Sequence, residues 1–301
     1  MDQAVVLDGV VKRFGDYAAV DALSLAVPTG SIYGFLGPNG AGKTTTLRMV
    51  IGIYYPDGGR ISVLGQKDPA AVKERLGYLP EDRGLYDKMR LLDVVAYFGQ
   101  LKGMGGRQAR ARAGGLLEEF GLGEWSGYKC QVLSKGMAQK AQILATILHE
   151  PELVILDEPF AGLDPVNRDL MRDVILEMRR QGRSVIFSTH IMEQAEQLCD
   201  YVLLIDQGRK VLDGSLSQVK SSGGRAIRLD YDGDGSALTR LPGVARVNDA
   251  GKQAELFLAE GADPQAVLAG LVAAGIQVRR FDLRELSLHE IFIRAVGRGA
   301  P

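Results

Sequence analysis

Three short stretches of this chain carry residue types and spacings suited to phosphate chemistry. GPNGAGKT, from Gly37 to Thr44, follows an apolar run and precedes a helical pattern. Its glycines let the backbone curl so that successive N–H groups face one anion, and the helix start behind them adds partial positive charge. Lys43 would bring a full charge to the β- and γ-phosphates of a nucleotide, and Thr44 a hydroxyl ligand for Mg²⁺. The run Gly37, Pro38, Asn39, Gly40, Ala41, Gly42, Lys43, Thr44 and Thr45 is the expected phosphate cradle. LVILDEP, from Leu153 to Pro159, ends an apolar run in adjacent carboxylates. By itself an acid pair before proline suggests a solvated turn or a helix cap. Beside a phosphate loop, Asp157 reads as the Mg²⁺ ligand and Glu158 as the group that orients or deprotonates the attacking water. SVIFSTH ends another apolar run in His190, whose place suggests contact with the γ-phosphate.

For these groups to meet, the strands that carry them must end at one edge of a sheet. Strands buried on both faces of a parallel sheet are almost wholly apolar, and ligands bind beyond their carboxyl ends. SIYGFLG, LVILDEP and SVIFSTH fit such strands, with one helix beginning near Lys43 and another from about Arg168 to Arg180. From Gln3 to Val27, β-like segments separated by turn residues predict hairpin strands. Residues 84–150 carry apolar residues at helical spacing and predict a helical insert. From Lys220 to Arg225 the composition turns small and polar, which predicts a linker. Beyond it the pattern reads strand 226–231, helix 235–240, strands 243–248 and 253–258, helix 264–274 and strand 276–282. That is the β-α-β-β-α-β order of a ferredoxin-like fold, followed by an amphipathic helix from Leu288 to Val296.

Composition bounds the function classes. The 301 residues, 46% apolar and 24% charged, suffice for one large domain and a small one. Lys and Arg total 36 against 37 Asp and Glu, so the net charge of -1 gives no electrostatic footprint for bulk nucleic acid. Cys130 and Cys199 lack both a CxxC pattern and a nearby His at metal-ligand spacing, which fits reducing surroundings better than a disulfide or zinc framework. The apolar stretch from Ala266 to Ile276 is far short of the roughly 18 residues a membrane helix needs. Any membrane span is expected from another chain.

In order along the chain, the phosphate loop, a helical insert carrying LSKGM, LVILDEP, AGLD and STH resemble the nucleotide-binding domain of ATP-binding-cassette (ABC) proteins over about residues 3–220. The resemblance implies an α/β fold: a P-loop NTPase core with a mostly parallel sheet, an antiparallel β subdomain and a helical subdomain at about 84–150, all within residues 1–220. A small α+β ferredoxin-like accessory domain would occupy 224–301. It also implies that Phe14, in KRFG, stacks on the adenine ring, although a Phe in an early strand is as often a core residue. Ser134 and Gly136 would form the signature motif that contacts nucleotide, and Ala161 to Asp164 the loop linking two sites. Two departures stand out. Glu81 occupies a position where the family usually has Gln; a carboxylate still binds Mg²⁺ but donates no amide hydrogen bond. LSKGM replaces LSGGQ, with Met137 in place of Gln and with Lys135 either adding charge near an anion or pointing to solvent.

In that family two domains associate head to tail, so Ser134 of one chain would meet the γ-phosphate held by Lys43 of another. One phosphate loop and one signature per chain imply a homodimer with ATP and Mg²⁺ at both sites. The implied activity is ATP hydrolysis that powers transmembrane permease subunits on a separate chain, at the cytoplasmic face of the membrane, with no nucleic acid partner. GYLPEDRGLY, LSKGM and a C-terminal extension containing LSLHEIF look like a bacterial subgroup serving sodium and drug export, which favours export and leaves the cargo open. The rival is a soluble ABC-type ATPase acting on ribosomes or nucleic acid. Such relatives usually join two cassettes or carry long coiled-coil inserts, and neither pattern is present here.

Overall fold

The computed structural model describes residues 2–81 and 84–297, and it divides into two compact units, Met1–Gly214 and Ser215–Pro301. Asp82 and Arg83 of the GYLPEDRGLY stretch lie outside the described residues.

In the first unit, β1 (Gln3–Phe14) and β2 (Tyr17–Pro28) form one long hairpin, and β4 (Gly58–Val63) pairs on the other side of β1. This antiparallel sheet alternates buried and exposed residues along β2, as a sheet with one wet face should. A second, six-stranded sheet has the order β5-β6-β7-β3-β8-β9, built from β5 (Leu76–Leu79), β6 (Leu153–Asp157), β7 (Ser184–Thr189), β3 (Ile32–Leu36), β8 (Tyr201–Asp206) and β9 (Arg209–Ser215). Every residue of β3, β6 and β7 is buried, and these strands run parallel. A two-residue turn, Gln207 and Gly208, both in the left-handed region, returns the chain from β8 into β9. Apolar side chains from both sheets, among them Leu7, Val20, Phe35 and Leu203, fill one continuous core together with Leu47 of the helix that follows β3.

Between β5 and β6 the chain makes α2 (Leu91–Leu101), α3 (Gly106–Glu119) and α4 (Lys135–Ile147). They close a core of their own, around Leu91, Val95, Ala113, Leu117 and Leu144. The remaining helices of this unit follow strands of the parallel sheet: α1 (Lys43–Val50) after β3, α5 (Pro165–Arg180) after β6 and α6 (Met192–Leu198) after β7. The architecture is the expected P-loop NTPase core with its antiparallel and helical parts.

The second unit starts with α7 (Leu216–Gly223). The predicted linker from Lys220 to Arg225 is overturned in part, because this helix runs through most of it. Ser215 and Gln218 form a reciprocal capping box that satisfies the first N–H groups, so local capping wins over the small, polar composition. The helix ends at Gly224, whose φ of 103° suits glycine. An antiparallel sheet of order β11-β12-β10-β13 follows, from β10 (Arg225–Asp232), β11 (Val244–Asp249), β12 (Gln253–Leu258) and β13 (Gln277–Glu285), with α8 (Pro264–Ala273) before its last strand. This is the ferredoxin-like topology. The helix expected at 235–240 is a 3₁₀ segment, Gly235–Arg240, too short for stable α-helical turns and opened by Asp234 accepting from the Ser236 N–H. A final helix, α9 (Leu288–Gly297), is fixed by Glu290, which accepts two bonds from Arg284 at 2.6 and 2.7 Å.

Candidate active site

Parallel pairing sets the ends of the central strands level. Leu36 of β3 lies opposite Thr189 of β7, and Ser188 of β7 lies opposite Asp157 of β6. The phosphate loop, the acid pair and His190 therefore emerge at one edge of one sheet, where the chain leaves the strands' carboxyl ends.

The loop from Gly37 to Gly42 leads into α1 through Gly42, at φ 101° in the left-handed region, and a Cβ there would lie 2.4 Å from the Ala19 carbonyl oxygen. Only glycine fits this turn. Lys43, 6% exposed, bends back so that its Nζ donates to the Gly37 and Pro38 carbonyls at 2.8 and 3.1 Å. The same Nζ lies 3.7 Å from Glu158 Oε1. Burial lowers the Lys43 pKa, and the nearby Glu158, Asp157 and Glu81 carboxylates oppose that shift by favouring the charged form.

Asp157, the last residue of β6, and Glu158, just beyond it, face different surroundings. Asp157 is fully buried; its Oδ1 accepts from Thr44 Oγ1 at 3.1 Å and from Ser188 Oγ at 2.5 Å. Its Oδ2 is buried with no hydrogen-bond partner among the described residues. Glu158 is 7% exposed and sits at φ 47°, a left-handed conformation that costs a non-glycine residue about 1–3 kcal/mol and persists where the surroundings enforce it. One such constraint is Ser188 Oγ, which accepts from the Glu158 N–H at 2.9 Å. His190 Nδ1 is 3.1 Å from each Glu158 carboxylate oxygen. Opposite an ionised carboxylate, which only accepts, Nδ1 carries the hydrogen. The carboxylate of Glu158 is thus held between an ammonium and an imidazole.

A cleft of about 450 Å³ is lined by Phe14, Asn39, Gly40, Ala41, Gly42, Lys43, Thr44, Thr45, Glu81 and Glu158, whereas Gly37, Pro38, Asp157 and His190 are not among its lining residues. Phe14 is 46% exposed, so the alternative of a core role is overturned. Its ring packs edge-on against Tyr54 with centroids 5.5 Å apart.

Ser134, Gly136 and Asp164 are not among the residues lining that cleft; they form a second cluster. Ser134 caps α4, accepting from the Met137 N–H at 3.3 Å, and Asp164 caps α5, accepting from the Asn167 N–H at 3.0 Å. The Asn167 backbone N–H also holds the Asp164 carboxyl below its ordinary pKa. Gly136 packs so closely that a Cβ would lie 2.7 Å from Asn167 Nδ2. Lys135 lies along the AGLD loop, its Nζ 2.8 Å from where a Cβ of Gly162 would stand. Gln139 of α4 donates to the Pro159 carbonyl at 2.8 Å, tying this helix to the turn after Glu158. Helix N-termini with free N–H groups suit an anion.

Sequence reasoning missed Ser188, Tyr17, Gln139 and Asn167. Ser188 gave a signal: a serine after the apolar stretch Val185–Phe187, inside a strand buried on both faces, needs a buried partner, and Asp157 is that partner. Tyr17 and Gln139 gave none, since their hydrogen bonds join segments 23 and 20 residues apart, and Asn167 bonds locally to Asp164 but meets Gly136 only through the packing of α4 on α5.

The residues also fit a divalent cation. The Thr44 hydroxyl and the carboxylates of Asp157 and Glu81 are hard oxygen donors, and Asp157 Oδ2 is a buried acceptor lacking a donor. Among the described residues there is no group of three or more His, Cys, Asp or Glu side chains that could hold a metal ion.

The family described as "ABC transporter" matches residues 20–161, and "ATP-binding protein DrrA1-3-like, C-terminal domain" matches residues 214–296. The "Uncharacterized ABC transporter ATP-binding protein YhaQ" of Bacillus subtilis (strain 168) is 40% identical over 294 residues, 97% of this chain and 98% of that protein. "Nod factor export ATP-binding protein I" of Burkholderia orbicola (strain AU 1054) is 34% identical over 294 residues, covering 96% of this chain and 95% of the relative. A solved "Structure of ATP binding subunit of ABC transporter" superposes with a TM-score of 0.68 at 29% identity, covering 73% of this chain and 92% of the other.

Proposed function

The chain belongs to the ATP-binding proteins of ABC transporters, and from that premise we propose that it powers an exporter as a head-to-tail homodimer bound to separate permease subunits. It binds ATP and is an ATPase. Export is supported by the likeness to the Nod factor export protein and to the DrrA-type C-terminal domain, which also weighs against the soluble alternative. No helix among the described residues is long and apolar enough to cross a membrane, so the permease would supply the span and hold this chain at the cytoplasmic face.

The observation that carries the catalytic reading is the convergence of Lys43, Asp157, Glu158 and His190 at one sheet edge. The N–H groups of the loop from Gly40 to Thr44, with the start of α1, bind the β- and γ-phosphates, and Lys43 neutralises them. Thr44, Asp157 and Glu81 would hold Mg²⁺, which would supply positive charge against the phosphates. Glu158 accepts the proton of the water that attacks the γ-phosphorus, giving ADP and inorganic phosphate. His190 orients the Glu158 carboxylate through Nδ1 and leaves Nε2 free to face the phosphate. Phe14 stacks on the adenine. Ser134 and Gly136 at the start of α4 bind the γ-phosphate held by the other chain, with the Asp164 loop bridging the two sites.

The separation of the Ser134 cluster from the Lys43 cleft supports a two-chain site. Glu158→Gln should bind ATP, lose hydrolysis by a factor of about 10³ or more, and elute as a dimer with ATP and Mg²⁺. A variant that stays monomeric at saturating ATP would sink the head-to-tail assembly; one that hydrolyses at the wild-type rate would sink the role of Glu158.

A further inference from the structure

The base end of the cleft has a second aromatic ring that the sequence motifs do not mark. Tyr17 is 58% exposed and lines the cleft with Phe14. The two are directly opposite across the β1–β2 hairpin, separated by the turn Gly15–Asp16 with Gly15 at φ 59°. Opposed residues of an antiparallel pair project from the same face, about 4.5–5.5 Å apart at Cβ, so both rings stand on one side of the hairpin tip.

Each ring is held from a different direction. Behind Phe14 stand the Tyr54 ring, edge-on, and the Lys12 ammonium, 5.6 Å from the ring centroid. Tyr17 is held from the phosphate side: its hydroxyl donates to the Gly40 carbonyl at 3.3 Å. Gly40 belongs to the loop that cradles phosphate, at φ 81° and with open space where a side chain would be. The hairpin tip and the phosphate loop, 23 residues apart in sequence, are therefore joined by one side chain. An exposed aromatic that served only to pack the hairpin would turn its ring inward, and one without a role at the cleft would not spend its hydroxyl on the phosphate loop.

We propose that Tyr17 is the second aromatic wall of the base site, a ring that contacts the nucleotide base beside Phe14 and is aimed by its bond to Gly40. This rests on the reading of the cleft as the ATP site. Two rings on one hairpin tip accept the π-face of a base without reading its edge, and the link to Gly40 sets the spacing between base and phosphates.

The test compares ATP with inorganic tripolyphosphate, which has the phosphates and no base, by titration calorimetry on the full chain in EDTA. Tyr17→Ala should weaken ATP binding about tenfold and leave tripolyphosphate binding within about twofold of wild type. Tyr17→Phe, which keeps the ring and loses the hydroxyl, should fall between. The proposal is overturned if Tyr17→Ala binds ATP like the wild type, if it weakens both ligands alike, which would make Tyr17 a loop scaffold only, or if Tyr17→Phe is as weak as Tyr17→Ala. Phe14→Ala separates the two levels of the argument. If it loses ATP affinity while Tyr17→Ala does not, the cleft reading stands and Tyr17 fails. If wild type and Phe14→Ala bind ATP no better than tripolyphosphate, the cleft is not the base site and both readings fall.

Discussion

At the scale of residues, the site turns on how two adjacent acids are made unlike. Asp157 is fully buried with one oxygen held by two hydroxyls and the other unpartnered, a donor set suited to a cation. Glu158, one position on, lies between the Lys43 ammonium and the His190 imidazole. Ser188 serves both: its hydroxyl donates to the Asp157 carboxylate and accepts from the Glu158 N–H. Removing a hydrogen bond to a buried charged group costs about 1.5–3 kcal/mol. Ser188→Ala should therefore lower stability by about that amount in a denaturant titration and slow hydrolysis roughly 10- to 100-fold, the usual effect of losing a group that orients site ligands. ATP affinity in EDTA should hold. An unchanged turnover would mean that the left-handed backbone at Glu158 is fixed by its neighbours without Ser188.

Among the elements, helix starts do much of the positioning. α1, α4, α5 and α7 begin at Gly42, Ser134, Asp164 and Ser215, and the last three cap their helices with side-chain oxygens. In the second unit, α9 is anchored by Glu290, whose carboxyl the Arg284 guanidinium, with help from the Ser287 N–H and hydroxyl, holds down at about 2 from an ordinary 4.5. A carboxylate with a depressed folded-state pKa contributes stability above its unfolded value and loses it as pH falls through the folded one. The contribution should be complete above pH 4.5 and disappear as pH falls toward about 2. Melting Glu290→Gln beside the wild type across that window checks it. The wild type should be the more stable at pH 6, with the gap closing toward pH 2. A gap that stays constant with pH would remove the Arg284–Glu290 pair as the anchor of α9.

For the whole molecule, the division into two units puts all the nucleotide motifs in the first, and within it Ser134, Gly136 and Asp164 are not among the residues that line the Lys43 cleft. If each site is completed by a second chain, hydrolysis depends on association. Specific ATPase activity should rise with protein concentration, with a Hill coefficient for ATP above 1 and at most about 2, the number of sites. Strictly concentration-independent, hyperbolic turnover would favour a site complete within one chain. The second unit builds its own core from Ile227, Leu229, Leu256 and Leu271, which is why its strand pattern was readable without reference to the first.

What the sequence determined by itself is whatever depends on local order. GPNGAGKT fixes a glycine turn before a helix because only glycine tolerates φ 101° at Gly42, and the runs LVILD and SVIFST mark strands buried on both faces. The alternation of short strands and helices after residue 225 was legible for the same reason. Only the tertiary structure decided the contacts made by pairing and packing across the chain. The register of β6 against β7 brings Ser188 to Asp157, 31 residues away, and the hairpin tip brings Tyr17 to Gly40. The packing of α4 on the AGLD loop took Lys135 to Gly162, where its sequence had left the direction open. Spacing along a chain encodes the period of an element, whereas the partner across a sheet or loop is set by registers and crossovers that no single segment contains.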